Sequence, residues 1–363
     1  MARLKVFLVG GARPNFMKVA PLYRAAEGRE GLDCRIVHTG QHSDPVMSGG
    51  FFEEFGLPEP HHYLGEGSGT HAVQTARIMI GFESLCVRER PDLVMVVGDV
   101  DSTLACALSA AKLGLDVANV EAGLRSFDRG MPEEINRVVT DALADHLFAS
   151  EESAVENLLR EGRPLSSIHL SGNVMVDNLL HQLALLEAED ESRFSTFAFK
   201  RENPRYVFLT LHRPSNVDDR TRFVEILSAL NPIAQVRPIL FPVHPRTRKM
   251  MDVFGLALHH DIILLPPLSF RESLYLWKDA ECVLTDSGGL QEETTALGVP
   301  CVTLRENTER PATVTHGTNI LGGTSRERIL SAFTKSVAAR SARPSPPPFW
   351  DGRAAERIWD LLA

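Results

Sequence analysis

Three acidic turns and two histidine turns in this sequence each follow a short apolar run or open an expected helix. They read Gly98-Asp99-Val100-Asp101-Ser102-Thr103, Glu121-Ala122-Gly123-Leu124-Arg125, Met131-Pro132-Glu133-Glu134, Leu211-His212-Arg213 and Val243-His244-Pro245-Arg246. Asp99, Glu121 and Glu133 with His212 form a workable acid–base set, because crowding and desolvation raise a carboxylate pKa towards the working pH. Each acid also has a structural use. Asp99 suits a helix cap, Glu121 a pair with Arg125, and Glu133 a first-turn charge on a helix dipole.

A second chemistry, anion binding, is suggested by Thr285-Asp286-Ser287-Gly288-Gly289-Leu290-Gln291-Glu292-Glu293, which follows a strand run and opens a helix. Bare backbone N–H groups and the positive end of the helix dipole lie at such a turn, and glycine lets an anion approach closely. A phosphate fits there. A serine N-cap followed by acidic residues is the structural alternative, and the doubled glycine favours a ligand.

The first turn, Gly10-Gly11-Ala12-Arg13-Pro14, sits where a dinucleotide fingerprint would lie. It lacks the G-x-G-x-x-G spacing and no acid ends the second strand, so nicotinamide cofactors are disfavoured. Arg13, with Lys18 one turn on, suits the grip of a pyrophosphate, although each alone is also an ordinary solvated charge. Asp99 and Asp101 lack a further ligand at a telling spacing, so no metal is expected. The five cysteines are scattered without a Cys-x-x-Cys pair. That argues against zinc or a disulfide framework and for a reducing cytoplasm.

The elements that must position these groups read as strand and helix in alternation. Strands are expected at Leu4–Val9, Cys34–Thr39, Leu93–Val97, Asp116–Val120 and His146–Ala149. A second series follows at Ile168–Ser171, Tyr206–Leu211, Pro238–Val243, Ile262–Leu265, Cys282–Thr285 and Cys301–Leu304. Near-continuous apolar runs suit parallel strands covered on both faces, and ligands bind outside their carboxyl ends. The 363 residues allow two domains. We place an N-terminal domain at 1–175, a connection at 176–204 and a C-terminal, nucleotide-binding domain at 205–342. The proline run Arg343–Pro348 then delivers a helix, 353–363, back to the first domain. A net charge of −9 argues against nucleic acid as partner. No apolar run reaches the roughly 18 residues that span a bilayer, and no signal peptide is expected.

The stretches GARPNFMK, TGQH, GDVDSTLA, VEAGLRS, MPEEINR, SGNVMVD, TLHR, PVHPR, LTDSGGLQEE and TERP, in this order, closely resemble the non-hydrolysing UDP-N-acetylglucosamine 2-epimerases. The resemblance runs from about Gly10 to Gly323. It implies two Rossmann-like parallel-sheet domains facing a central cleft, of the GT-B type, and a homodimer. It also implies conversion of UDP-GlcNAc to UDP-ManNAc through anti elimination of UDP and syn re-addition, for surface polysaccharide precursors, with no cofactor. Asp99, Glu121 and Glu133 match the family's catalytic carboxylates, and His212 matches a histidine that assists at the diphosphate or in proton transfer. Arg13, Lys18, Ser287, Gly288, Gly289 and Arg310 match nucleotide and phosphate contacts, Glu293 matches the acid on the ribose hydroxyls, and His244 joins the substrate-binding set.

Some positions depart from the family's commonest pattern. The first turn reads GARPN where GTRPE is common, and Ser273 stands where many members carry an aromatic near the uracil. Some enzymes acting on UDP-2,3-diacetamido-glucuronic acid also carry GARP, so the C3 and C6 substituents stay open. Members activated by a second UDP-GlcNAc carry other residues at Gln41-His42-Ser43-Asp44, Ser68-Gly69-Thr70-His71 and His212-Arg213-Pro214, so that activation is expected to be absent. Three alternatives remain: a hydrolysing epimerase, which typically reads GTRAE in the first turn; a GT-B glycosyltransferase; and a sugar-nucleotide-binding protein without chemistry.

Overall fold

A computed structural model describes residues 3–40, 52–65, 69–339 and 345–362, the side chain of Arg13 excepted. The chain divides into two compact units, Met1–His181 with Pro348–Ala363 and Gln182–Pro347. The break at 181/182 falls within the helix Val174–Glu187.

The first unit is built on seven parallel strands: β1 (Leu4–Gly10), β2 (Leu32–His38), β3 (His62–Tyr63), β4 (Leu93–Val97), β5 (Asp116–Ala122), β6 (His146–Ala149) and β7 (Ile168–Leu170). Their order is β3-β2-β1-β4-β5-β6-β7. Every residue of β4 is buried, which is why its sequence is apolar throughout rather than alternating. Phe7, Val94, Val96 and Leu147 of the strands close a core with Phe82 and the alanines Ala105, Ala107 and Ala110. Those alanines let the helix Asp101–Lys112 lie close to the sheet and to the helices His71–Glu89 and Pro132–Leu143. The run at Ile168–Ser171, grouped above with the second series, pairs instead with β6 and ends this first sheet. One further crossover precedes the change of sheet, and the run's composition does not mark that.

The C-terminal helix Ala354–Leu362 packs on the helix Arg13–Ala26, and Trp359 donates its indole N–H to the Leu22 carbonyl at 2.8 Å. The Asp177 carboxylate accepts from the Ala354 and Ala355 amides at 3.1 and 2.7 Å, satisfying two of the free N–H groups that open this helix.

The second unit carries six parallel strands: β8 (Val207–Thr210), β9 (Ile239–Pro242), β10 (Ile262–Leu265), β11 (Cys282–Thr285), β12 (Cys301–Thr303) and β13 (Asn319–Leu321). Their order, β10-β9-β8-β11-β12-β13, repeats that of β1 to β6. It is the doubly wound order, with a crossover reversal beside the first strand of each sheet. Phe223, Ile226, Leu230, Phe241, Leu284 and Val302 lie at the heart of its core. The short strands β3 and β13 were not anticipated.

Candidate active site

In the first unit the expected acids stand at neighbouring strand ends, since Val97 of β4 pairs with Val120 of β5. Asp99 follows Gly98, whose φ of +71° is the left-handed conformation that favours glycine. A Cβ at Gly98 would also come within 2.9 Å of the Lys18 ammonium. Asp99 does not cap the helix Asp101–Lys112, whose N-cap, Val100, makes no side-chain bond. Its carboxylate instead pairs with Arg137 at 3.0 Å, and its carbonyl accepts from the Asn136 amide at 2.9 Å. Arg137 also pairs with Glu134. Glu134 is fixed in turn by the backbone N–H groups of Ser126 and Phe127 at 2.9 and 2.8 Å. Glu133 lies half-buried in the first turn of the helix Pro132–Leu143, next to that anchored acid.

Glu121, the next-to-last residue of β5, has a φ of +70°, at a register shift between Val120 and Ala122. A left-handed glutamate is strained, and such strain persists only where neighbours over-determine it. They do here. Asp141 accepts from Gly123 N–H at 2.9 Å and from the Asn119 amide at 2.7 Å, and pairs with Arg125 at 2.7 Å. Arg125 also reaches Glu161, so it does not serve Glu121. The Glu121 carboxylate, buried, instead pairs with Lys18 from the helix Arg13–Ala26.

Arg13 opens that helix, and its side chain lies outside the described residues, as do Gln41 to Asp44 and Ser68. Asn15 holds the first turn. Its carbonyl oxygen accepts from the Ala12 N–H at 3.0 Å, and its amide donates to the Val97 carbonyl at 3.0 Å. Sequence reasoning missed Asn15, Asn136 and Arg137 as supports. The available signal for the last was Glu134 and Arg137 three residues apart on one helix.

In the second unit, the helix Gly288–Leu297 opens directly after β11. Ser287 is its N-cap, with its hydroxyl 3.5 Å from the Leu290 N–H, so the structural use of the serine is present alongside the glycine turn. A Cβ at Gly288 would meet Glu309 at 2.7 Å. Burial raises the Glu309 carboxyl, but Arg305, Arg310 and Arg213 outweigh it and hold it well below the usual carboxylate range. Arg310, buried, pairs with Glu292 at 2.9 Å. Glu293 is buried, and burial followed by the charge of Glu292 pushes it up to about 8.

His212 follows β8 and meets Asp286, which follows β11: Nδ1 lies 2.9 Å from the carboxylate. Asp286 is fully buried and was not singled out from sequence. His244 caps the helix Pro245–Phe254, its Nδ1 accepting from the Arg246 N–H at 3.2 Å. Burial, then His212 and Arg246, lower its pKa. The one group of clustered metal-type side chains among the described residues, His259, His260 and Asp261, precedes β10 at the opposite end of the sheet from the glycine turn.

Two sheets of one doubly wound order, one ending in paired carboxylates and the other in a glycine-opened helix, define an α/β enzyme of the GT-B class. The chain belongs to the UDP-N-acetylglucosamine 2-epimerase family, whose model matches residues 24–363. It is 43% identical over 367 residues to UDP-N-acetylglucosamine 2-epimerase of Methanocaldococcus jannaschii, covering 99% of both chains. It is 39% identical over 363 residues to UDP-2,3-diacetamido-2,3-dideoxy-D-glucuronate 2-epimerase of Pseudomonas aeruginosa, again covering 99% of both. A crystal structure of the M. jannaschii UDP-GlcNAc 2-epimerase in complex with UDP-GlcNAc and UDP matches with a TM-score of 0.90 at 44% identity, covering 99% of both chains.

Proposed function

We propose that this chain interconverts UDP-GlcNAc and UDP-ManNAc by anti elimination of UDP and syn re-addition to the 2-acetamidoglucal. The observation that carries this reading is the complete acid set, Asp99, Glu121 and Glu133, at adjoining strand and helix ends in a chain related over its whole length to such epimerases. The C2 proton is not acidified by a carbonyl, so it leaves only as the C1–O bond breaks and positive charge grows at C1. Stabilising the departing diphosphate is therefore as important as the base. The acids of the first unit handle the sugar, and Arg13, with Lys18 beside Glu121, grips the diphosphate. The second unit holds the nucleotide: the Gly288 turn and His212 take the diphosphate, and Glu293 takes the ribose hydroxyls. Elimination and re-addition leave the oxidation state unchanged, so the reaction calls for no redox cofactor.

Incubation with UDP-GlcNAc in D2O, followed by NMR, tests this. UDP-ManNAc with deuterium at C2 is expected, whereas UDP and free ManNAc as main products would mark a hydrolysing enzyme. A second reading, epimerisation of a UDP-2,3-diacetamido sugar acid, is favoured by the 39% identity to the Pseudomonas enzyme. Exchange with that substrate alone would select it.

We also infer a cytoplasmic homodimer that supplies surface polysaccharide precursors. Among the described residues no helix is long and apolar enough to cross a membrane. Val73, Ile80 and Val87, seven apart on the helix His71–Glu89, form an exposed apolar stripe suited to a second copy. Sedimentation equilibrium checks the dimer.

A further inference from the structure

The buried carboxylate of Asp286 does more than close a turn. It accepts from the His212 backbone N–H at 3.1 Å, the Arg213 N–H at 2.9 Å and the Asn216 side-chain amide at 3.2 Å. Those bonds account for the structure of the His212-Arg213 turn and the short helix Pro214–Val217 that follows. They leave unexplained the fourth contact, His212 Nδ1 at 2.9 Å. Burial raises the Asp286 carboxyl, yet the His212 side chain and the backbone donors outweigh it and keep it below the usual carboxylate range.

An ionised carboxylate can only accept, so Nδ1 must carry the hydrogen. In a neutral imidazole that leaves the lone pair on Nε2. The His212 side chain keeps 39% of its surface exposed while Asp286 has none, so the ring is gripped at one nitrogen and open towards solvent elsewhere. A purely structural acid needs no particular tautomer of its neighbour.

We propose that Asp286 is the positioning residue of His212: it fixes the Nδ1–H tautomer and ring orientation, and leaves Nε2 as the nitrogen that meets the substrate diphosphate. This rests on the role given above to His212. When Nε2 is protonated, the cationic ring is already balanced by Asp286 and approaches the diphosphate oxygen as a charged donor. Asp286 itself touches no substrate and acts only through the ring, as the orienting carboxylate does in other carboxylate–histidine pairs.

The first test needs no variant. In 15N-labelled full-length protein, at a pH where the ring is neutral, the His212 signals, assigned by their loss in His212→Gln, should show a protonated Nδ1 and a bare Nε2. The reverse tautomer overturns the proposal. The second uses Asp286→Asn, with folding checked by near-UV circular dichroism. The asparagine amide can offer Nδ1 a donor, so the tautomer should shift, and kcat should fall about 100-fold, the lower end of what a positioned proton-handling group supplies. KM should stay within about threefold, because the ground-state contacts remain. An unchanged tautomer or an unchanged kcat in folded Asp286→Asn overturns the proposal. Adding Asp286→Asn to His212→Gln should cost less than about threefold more, since both act through one ring. A fully active His212→Gln would instead overturn the role of the histidine, an outcome separate from the tautomer measurement.

Discussion

The two sheets share a strand order and differ in what their carboxyl ends carry. In the first unit two of the three acids are met by cations: Glu121 by Lys18 and Asp99 by Arg137. In the second unit two buried acids diverge. Glu309 faces three arginines and is held low, whereas Glu293 faces Glu292 and is pushed up to about 8. Burial alone therefore does not set the state of a carboxylate; the charge beside it does. Glu309, compensated by its arginines, is held as an anion. An uncompensated acid holds its proton until a better environment arrives, and that suits a group waiting for ligand hydroxyls.

The sharpest way to break this division is Glu121→Gln. It keeps the shape and the turn but removes the charge, and it should lower kcat by about 1,000-fold, within the range for a general acid or base. UDP affinity, measured by calorimetry, should be unchanged. A parallel loss of UDP binding would show that Glu121 acts by holding Lys18 for the diphosphate rather than in proton transfer. Gly288→Ala should do the opposite. Its methyl would press on Glu309, itself tied to Arg305 at 2.7 Å, so the neighbour does not yield cheaply. Overpacking of this kind costs about 1–3 kcal/mol, and borne by the nucleotide site it weakens UDP by about 5- to 150-fold. The kcat at saturation should survive. If kcat falls and affinity holds, the glycine turn serves chemistry rather than binding.

Glu293 sharpens the comparison through pH. Its folded pKa lies above the unfolded value, so the folded state binds the extra proton. Its contribution to stability is favourable below about pH 4.5 and is lost as pH rises towards about 8. Glu293→Gln removes that dependence, so the variant should gain on the wild type over this window, by up to about 1.4 kcal/mol per pH unit. Thermal unfolding of the apo proteins across that range measures it. A parallel pH dependence in both would put the ionisation elsewhere. Binding of UDP by the wild type should release a proton near pH 7, visible as a buffer-dependent heat that the variant lacks.

Much of this was legible in the sequence, and the reasons for the gaps are physical. β4 and β11 read as strands because burial on both faces makes β4 apolar throughout and β11 apolar up to its last residue, Thr285. The two residues of β3 and the three of β13 are too short to carry a period. Acids could be placed at strand ends, since chain order gives that directly. Their partners could not, because Lys18 and Glu121 are brought together by the packing of the helix Arg13–Ala26 on the sheet and not by spacing. The left-handed backbone of Glu121 has no signature in its residue type. Asp286 looked like an ordinary residue of a helix-opening turn, and only the neighbouring ends of β8 and β11 reveal its histidine.

The smallest expected effect concerns cooperativity. The expected absence of activation by a second UDP-GlcNAc rests in part on the stretch Ser68-Gly69-Thr70-His71. His71 begins the helix His71–Glu89 and turns its Nδ1 to Asp101 at 2.7 Å, and Asp101 also accepts from Asn136 at 3.2 Å. Asn136 binds the Asp99 carbonyl as well. These contacts join the start of the helix His71–Glu89 to the acid set through residues of this chain, and a ligand shifts only an equilibrium for which it has differential affinity. Initial rates against UDP-GlcNAc should follow a hyperbola, and traces of UDP-GlcNAc should not accelerate the reverse reaction from UDP-ManNAc. His71→Ala should lower kcat by less than about tenfold, the effect of loosening one support of a positioned group, without introducing sigmoidal rates. A sigmoidal curve in the wild type would mean that a second UDP-GlcNAc activates the enzyme, and the expected absence of that activation would fall.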